Sequence, residues 1–262
     1  AGADGFNTAV GYQAGIAVTT GLRNTLMGGL AGDSLTDSNN SVAIGYNALS
    51  TNTGSAGNVA VGKDALKTFN VSSGSGNNTA VGTLAGGALT SGVNNTLMGS
   101  LAGDGLQDAD NNTAIGKGAL TTDTLGSGST AVGFAALEAQ NFTSAATTFN
   151  TAIGSAAGAG VTTGQYNTLI GALSGDALTT GNENVAVGSE TLSTAITTRK
   201  AVAVGRSALK VCTGDNNTAV GHQSGISLLA GTENTLLGAA SGDALTTGTN
   251  NVLLGSGTSV SA

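Results

Sequence analysis

The stretch Asn7-Thr8-Ala9-Val10-Gly11 returns fifteen times, with small substitutions, along this chain of 262 residues. Its final glycines are spaced by 17 residues at eleven of the fourteen intervals, and by 20, 21 and 16 residues at the other three. A short fixed period is typical of repeat proteins, in which each unit buries its apolar residues only against its neighbours. Seventeen residues is too few for a helix pair or a propeller blade and suits one coil of a β-solenoid. The sequence therefore predicts an all-β, parallel β-solenoid (a β-roll or β-helix) of about fifteen coils.

We number each coil from its asparagine, so that Asn7 is position 1 and Gly11 is position 5. Position 2 is Thr or Val, position 3 is Ala or Leu, and position 4 is Val, Ile, Met or Leu. These side chains favour a strand, in which positions 2 and 4 share one face and position 3 points to the other. We predict that position 4 lies in the core and that position 3 points outward.

The predicted outward row contains large apolar residues that a solenoid of this girth would leave exposed. An exposed apolar row invites association with other chains. Two further copies of the same chain are the simplest cover, so the sequence predicts a homotrimer. The predicted inter-chain packing residues are Leu26, Leu97, Leu169 and Leu236.

Other columns refine the coil. Position 8 is always small, which indicates a narrow interior. The asparagines of position 1 either stack into a side-chain ladder or begin turns, and both alternatives support a solenoid. Position 9 reads Gly, Gly, Leu, Leu and then repeats, which divides a single repeat domain over 1–262 into four-coil superunits. These superunits start near Asn7, Asn78, Asn150 and Asn217.

The longer intervals place loops at 67–77 and 138–149. Length variation in a solenoid maps to loops on one side. The two loops carry Phe69, Phe142 and Phe149, which we predict as receptor-contacting residues; packing of these rings over the side of the solenoid is an equally good interpretation.

Composition excludes several classes of function. Charged residues make up 9% of the chain, the net charge is −7, and the eight basic residues are scattered, so no nucleic-acid footprint is present. No apolar run approaches the ~20 residues that cross a bilayer, so we expect no membrane insertion. There are 44 glycines and no prolines, yet Val, Ile and Leu recur in register, which argues against disorder.

Few residues suggest chemistry. His222 is the only histidine, but its position 6 is variable, which is typical of a solvated surface position. In the second coil of each superunit, position 10 is an aspartate. These aspartates could bind calcium or cap turns, and the turn interpretation is favoured. They are Asp33, Asp104, Asp176 and Asp243. The single Cys212 is interpreted as a small apolar residue. We expect no enzyme, no metal site and no cofactor.

Two segments resemble known repeats. Asn40-Ser41-Val42-Ala43-Ile44-Gly45 resembles the head repeat of trimeric autotransporter adhesins, whose coils form a left-handed parallel β-roll. The segment from Asn7 to Ala14, with Thr19-Thr20-Gly21, is similar to repeats of bacteriophage tail-fibre proteins. The resemblance implies a homotrimeric, extracellular fibre on a virion tail or a bacterial surface, involved in attachment to a host receptor or glycan.

The sequence thus predicts a non-enzymatic fibre or adhesion segment that projects or presents a receptor-binding surface. One alternative is a self-assembling extracellular filament subunit. Another is an ice-binding solenoid that presents threonine arrays, against which we count the expectation that the position 2 threonines share a face with the core position 4.

Overall fold

The fold is built from short parallel strands, one in each coil. A computed structural model describes residues 5–259, and within that range it contains no helix. Fifteen strands of three residues each occupy positions 2 to 4, and two strands of two residues lie in the connections of coils 7 and 8. They are β1 Thr8–Val10, β2 Thr25–Met27, β3 Val42–Ile44, β4 Val59–Val61, β5 Thr79–Val81, β6 Thr96–Met98, β7 Thr113–Ile115, β8 Gly126–Ser127, β9 Thr130–Val132, β10 Ala146–Thr147, β11 Thr151–Ile153, β12 Thr168–Ile170, β13 Val185–Val187, β14 Val202–Val204, β15 Thr218–Val220, β16 Thr235–Leu237 and β17 Val252–Leu254.

The chain divides into two compact units that are made of the same coil. The first comprises residues up to Ser129 together with Asn141–Thr147, and the second comprises Thr130–Gln140 and the residues from Thr148 onward. In the first unit β1 to β7 pair in order, parallel and in register, and β8 pairs with β10. In the second, β9 pairs with β11, and β11 to β17 follow in order. The all-β parallel solenoid is confirmed.

The interior of the coil is lined by position 3, and the predicted orientation of the strand is therefore wrong. Leu26, Leu97, Leu169 and Leu236 are fully or almost fully buried within their own chain. The smaller Ala43 and Ala60 occupy the same column and are also buried. Positions 2 and 4 point the other way. Those four leucines cannot pack against another copy of the chain, and that prediction is withdrawn.

Packing around Leu97 shows why the leucines point inward. A Cβ added at Gly86, position 9 of coil 5, would lie 2.8 Å from Leu97 Cδ1, and one added at Gly103, position 9 of coil 6, would lie 2.7 Å from Leu97 Cδ2. One leucine thus fills the space left by two glycines. In coils 3 and 4, position 3 is Ala and position 9 is a buried leucine. The four-coil period of the sequence is therefore a pattern of core filling.

Position 5 brings successive backbones into direct contact. Gly45 has φ +132°, and a Cβ there would lie 2.5 Å from the carbonyl oxygen of Gly62 in the next coil. Gly45 N also donates to the carbonyl of Met27 in the preceding coil at 2.8 Å. Both the backbone angle and the close approach exclude a side chain, which explains why this position is glycine in all fifteen coils.

The asparagines of position 1 form a buried ladder, so that alternative is confirmed. Asn95 Nδ2 donates to Asn78 Oδ1 of the preceding coil at 3.1 Å, and the same oxygen accepts from Asn95 N at 2.9 Å. Asn95 Nδ2 also donates to the carbonyl of Ala109 in its own coil at 2.8 Å. Each amide therefore closes its own coil and joins it to its neighbour. Buried polar groups that are fully paired in this way define the register of the coils.

A second ladder follows position 13 along the second unit. Thr162 Oγ1 donates to the carbonyl of Thr179 at 3.0 Å, and Thr179 Oγ1 donates to the carbonyl of Ile196 at 3.2 Å. These threonine hydroxyls satisfy backbone carbonyls at the corner of the coil, where strand pairing has ended.

Candidate functional site

The outward face of the strands is the largest regular surface of each unit. We call positions 2 and 4 of the fifteen strands the sheet face. Position 2 is Thr in ten coils and Val in five, position 4 is always aliphatic or Met, and no residue of the sheet face is charged. Partners in successive strands lie in register, as Thr79 does with Thr96 and Val81 with Met98. The sheet face is therefore regular, uncharged and largely apolar.

Many side chains of the sheet face are open to solvent. Ile153 retains 40% of its surface, and similar or greater exposure is found along both units. The exposed large residues of this face are Val10, Met27, Met98, Ile115, Ile153, Val185, Leu237, Val252 and Leu254. Seven strands at ~4.8 Å spacing and three residues at ~3.3 Å rise give the first unit a face of roughly 340 Å² in projection. The largest apolar patch of a typical monomer has a similar size and is often functional.

The three phenylalanines predicted as receptor contacts have different environments. Phe69 is fully buried at position 12 of coil 4, and Phe142 retains only 8% of its surface. Both rings pack into their own unit, so their prediction as receptor contacts is wrong. Phe142 N donates to Asp123 Oδ1 at 2.8 Å, which fixes the loop that carries it. Phe149 differs, since 56% of its surface is exposed.

Phe149 belongs to an exposed column that precedes each asparagine, which we call position 0. Residues of this column have positive φ angles, 48° at Phe149 and 59° at Tyr166 in the next coil. The two rings lie with centroids 6.0 Å apart and planes inclined at 45°. Tyr166 is 52% exposed. The backbone beneath is held by a 2.9 Å bond from Tyr166 N to the carbonyl of Thr148. Position 0 thus presents a fixed aromatic pair.

Position 6 is a surface column, as predicted. Tyr12, Tyr46 and Phe134 are exposed there, and so is His222. Within residues 5–259 no hydrogen bond or ion pair joins the His222 side chain to another residue, so nothing orients its ring for proton transfer.

Two of the position 10 aspartates hold partly desolvated carboxylates. Burial raises the pKa of Asp33, although hydrogen bonds from its own N–H and from Ser34 act in the opposite direction. Burial also raises the pKa of Asp176, where its own N–H and Lys210 lower it and Glu190 raises it. In the described part of the chain, the Oδ1 atoms of both are buried without a hydrogen-bond partner. The bonds to backbone N–H groups fit the turn interpretation.

A charged cluster lies beside Asp176 in the second unit. Lys210 Nζ binds Glu190 Oε2 at 2.8 Å, and Arg206 lies 3.9 Å from Glu190 Oε1. The hydrogen bond from Lys210, followed by its charge, lowers the pKa of Glu190. This cluster pairs opposite charges across neighbouring coils.

Cys212 occupies a core position, as predicted. Its side chain is fully buried at position 12, and burial raises the pKa of the thiol to about 11. The thiol donates to the carbonyl of Gly214 at 3.4 Å. Cys212 therefore remains a protonated core residue at neutral pH.

Searches for other kinds of site give three negative findings over residues 5–259. No cavity of ligand size is found. No three residues among His, Cys, Asp and Glu come together as a group that could hold a metal ion. None of the described segments forms a helix that is long and apolar enough to cross a membrane.

Comparison of the chain with protein-family models, with curated proteins and with solved structures finds no match.

Sequence reasoning found the strand but assigned its faces incorrectly, and so it missed the sheet face. A usable signal was present. Position 4 is always a large side chain, whereas position 3 is large only in coils 2, 6, 10, 14 and 15, in the first four of which position 9 is glycine. Only position 3 therefore shows the exchange of volume that a narrow interior imposes.

Proposed function

We propose that this chain is a non-enzymatic structural segment of a fibre, which self-associates as a homotrimer through the sheet face. The observation that carries the proposal is the row of uncharged, partly exposed aliphatic and methionine side chains at position 4 in each unit. Self-association would bury these side chains, and each Å² of apolar surface removed from water would stabilise the assembly by ~25 cal/mol. A second copy of the chain offers the same uncharged face with the same strand spacing.

The composition of the sheet face supports a partner of the same kind. The net charge of −7 lies outside the sheet face, so copies can meet there without bringing like charges together. Position 2 adds threonine methyl groups and hydroxyls beside the aliphatic row. Closed assembly of three chains would leave no copy of this surface open for unlimited growth.

The proposed mechanism is mechanical and multivalent. Ladders of backbone bonds, asparagine amides and leucines make each unit stiff, as a shaft requires. Three identical chains would present each surface site three times, so that weak contacts add up to firm attachment. We place such a fibre outside the cell, on a virion tail or a bacterial surface, where it would contact a host receptor or glycan.

The molar mass in solution tests the proposal. Sedimentation equilibrium of the full chain should give three protomers, and Ile153→Asp, which puts a charge on the exposed row, should shift the mass toward one protomer. Thr163→Asp is the matched control, since Thr163 is exposed in a turn of the same coil. It should leave the mass unchanged.

Two outcomes would contradict this assembly: a wild-type monomer at every concentration, or an unchanged mass for Ile153→Asp. Met98→Asp repeats the test in the first unit, in case Ile153→Asp fails to fold. Leu97→Asp is unsuitable, because it would bury a carboxylate inside the coil and unfold the chain.

The orientation of position 2 favours a second candidate function, ice binding. The argument against it fails, because the threonine column shares its face with position 4 and both point outward. Regular hydroxyls at the strand spacing can order water. Variation from Val to Met at position 4 makes the surface less uniform, so we rank this function second. Thermal hysteresis in a monomeric preparation would support it, whereas a trimer without hysteresis would remove it.

A further inference from the structure

We propose that the Phe149–Tyr166 pair is a binding platform for a neutral saccharide, with one hexopyranose unit stacked on each aromatic ring. The two rings are the only aromatic pair in contact within residues 5–259, and each is more than half exposed. The proposal deepens the presentation of a receptor-contacting surface but does not rest on self-association, because both rings belong to one protomer.

The stability of the fold does not account for these two residues. Position 0 has a left-handed backbone, which costs a bulky residue about 1–2 kcal/mol and suits asparagine best among non-glycine residues. The column carries asparagine in six coils: Asn40, Asn77, Asn94, Asn111, Asn216 and Asn250. Phe149 and Tyr166 accept this conformation without entering the core. Phe6 does the same in coil 1, but its neighbour in the column is Arg23.

The pair offers two exposed ring faces, inclined at 45°, to a ligand whose units have apolar faces and polar edges. The centroid separation of 6.0 Å and the fixed backbone present two rings over successive coils, at a spacing close to the length of one hexopyranose unit. Gln165 lies beside Tyr166, and its N–H is bound to Asn182 Oδ1 at 2.7 Å. Exposed Glu183 follows at position 0 of the next coil. Position 0 and the residue before it thus supply an amide and a carboxylate in neighbouring coils, and such groups pair with sugar hydroxyls.

The charge around the aromatic pair favours a saccharide over single-stranded nucleic acid, which also stacks on aromatic rings. Single-stranded nucleic acid needs a basic groove for its phosphates. Position 0 carries Glu183 in the next coil and Lys200 in the coil after it, and the chain is acidic as a whole, so the column forms no basic groove. An anionic sugar is disfavoured for the same reason. A neutral hexopyranose chain that runs along the coils is the ligand that the surroundings select.

Calorimetric titration of the full chain with cellohexaose and with maltoheptaose tests the platform. We expect one of the two to bind weakly, with a Kd on the order of 1 mM. The double variant Phe149→Asn with Tyr166→Asn should weaken that binding by roughly tenfold for each ring lost. The matched control is Phe134→Ser, which removes a lone exposed aromatic residue where Ser100 and Ser155 stand in other coils. It should bind like the wild type.

Thermal unfolding and molar mass complete the test. The double variant should keep or raise the unfolding temperature, because asparagine prefers the backbone of position 0. The proposal is overturned if neither saccharide binds the wild type, if an oligothymidylate binds in their place, or if the double variant binds normally. A clear drop in its unfolding temperature would make the pair structural, and a drop in its molar mass would make the pair a contact between copies. Self-association would be contradicted by a different result, an unchanged molar mass for Ile153→Asp.

Discussion

At the scale of single residues, glycine at position 5 is where the fold allows least freedom. The φ of +132° at Gly45 lies in a region that other residues rarely enter, and the next coil occupies the space of a Cβ. Coils can stack at the strand spacing only if this corner has no side chain. The sequence showed the invariance of the glycine, but the close approach of two backbones that causes it is visible only in the structure.

We predict that Gly45→Ala destabilises the chain by more than ~4 kcal/mol or prevents folding, because backbone in two coils would have to move. Gly118→Ala is the matched control. Gly118 also has a positive φ, 66°, but a Cβ there meets nothing within 4 Å, and alanine already occupies this position as Ala135 and Ala156. The control should change stability by about 1 kcal/mol or less. Equal effects on chemical denaturation would contradict the steric explanation.

Asp33 gives a prediction for pH. Its pKa is raised in the folded state, chiefly by burial, so the folded chain binds a proton more tightly than the unfolded chain. Stability should therefore rise as the pH falls from the raised value toward the ordinary value of the carboxyl. Asp33→Asn should stabilise the chain at pH 7 and lose this rise, as measured by thermal unfolding between pH 4 and 7. Asp243→Asn, at an exposed equivalent position, should stabilise less. A destabilised Asp33→Asn would show that the carboxylate has a favourable partner.

At the scale of the element, the coil is filled by an exchange between positions 3 and 9. Leu97 fits because Gly86 and Gly103 leave room for it, whereas coils with Ala at position 3 place leucine at position 9. The interior of the coil is therefore filled by a leucine either at position 3 or at position 9. Protein interiors are close-packed and contain few voids, so a side chain that is missing at one position is replaced by one from the other.

This exchange predicts a coupled pair of substitutions in coil 6. Leu97→Ala should destabilise the chain by ~3–5 kcal/mol through the cavity it leaves. Gly103→Leu alone should also destabilise, since its Cβ would lie 2.7 Å from Leu97 Cδ2. The double variant recreates the arrangement of coil 3 and should be more stable than the sum of the two effects allows. Strictly additive effects in a double-mutant cycle would show that the two positions do not share one space.

Much of the element was predictable from the sequence. The period, the strand at positions 2 to 4, the glycine corner and the core role of Cys212 all follow from local patterns. The orientation of the strand does not, because apolar residues occupy both of its faces and alternation alone cannot tell interior from surface. The prediction of Phe69 as a receptor contact was wrong for a related reason. An insertion in the repeat suggested a loop there, but Phe69 occupies position 12, which is buried in the neighbouring coils as well.

At the scale of the whole molecule, the sheet face is an uncharged, largely apolar surface that a single chain leaves partly exposed. Its lack of charge has an effect that can be measured with the trimer test above: the expected assembly should persist in 1 M salt, since no ion pairs on the sheet face would be screened. Dissociation in salt would point to the charged turns, such as those around Glu190, as the contact instead. The candidate site was not predictable because its residues were assigned to the core.

The leucine shared between Gly86 and Gly103 also limits how such a gene can grow. Loss of coil 6 alone would remove the leucine that packs against Gly86 of coil 5, and an extra copy of coil 5 would add a glycine without such a leucine. Duplication that keeps the interior filled must copy the whole pattern, about 71 residues at a time as the distance from Asn7 to Asn78 shows. Natural length variants of this chain should therefore differ by complete superunits.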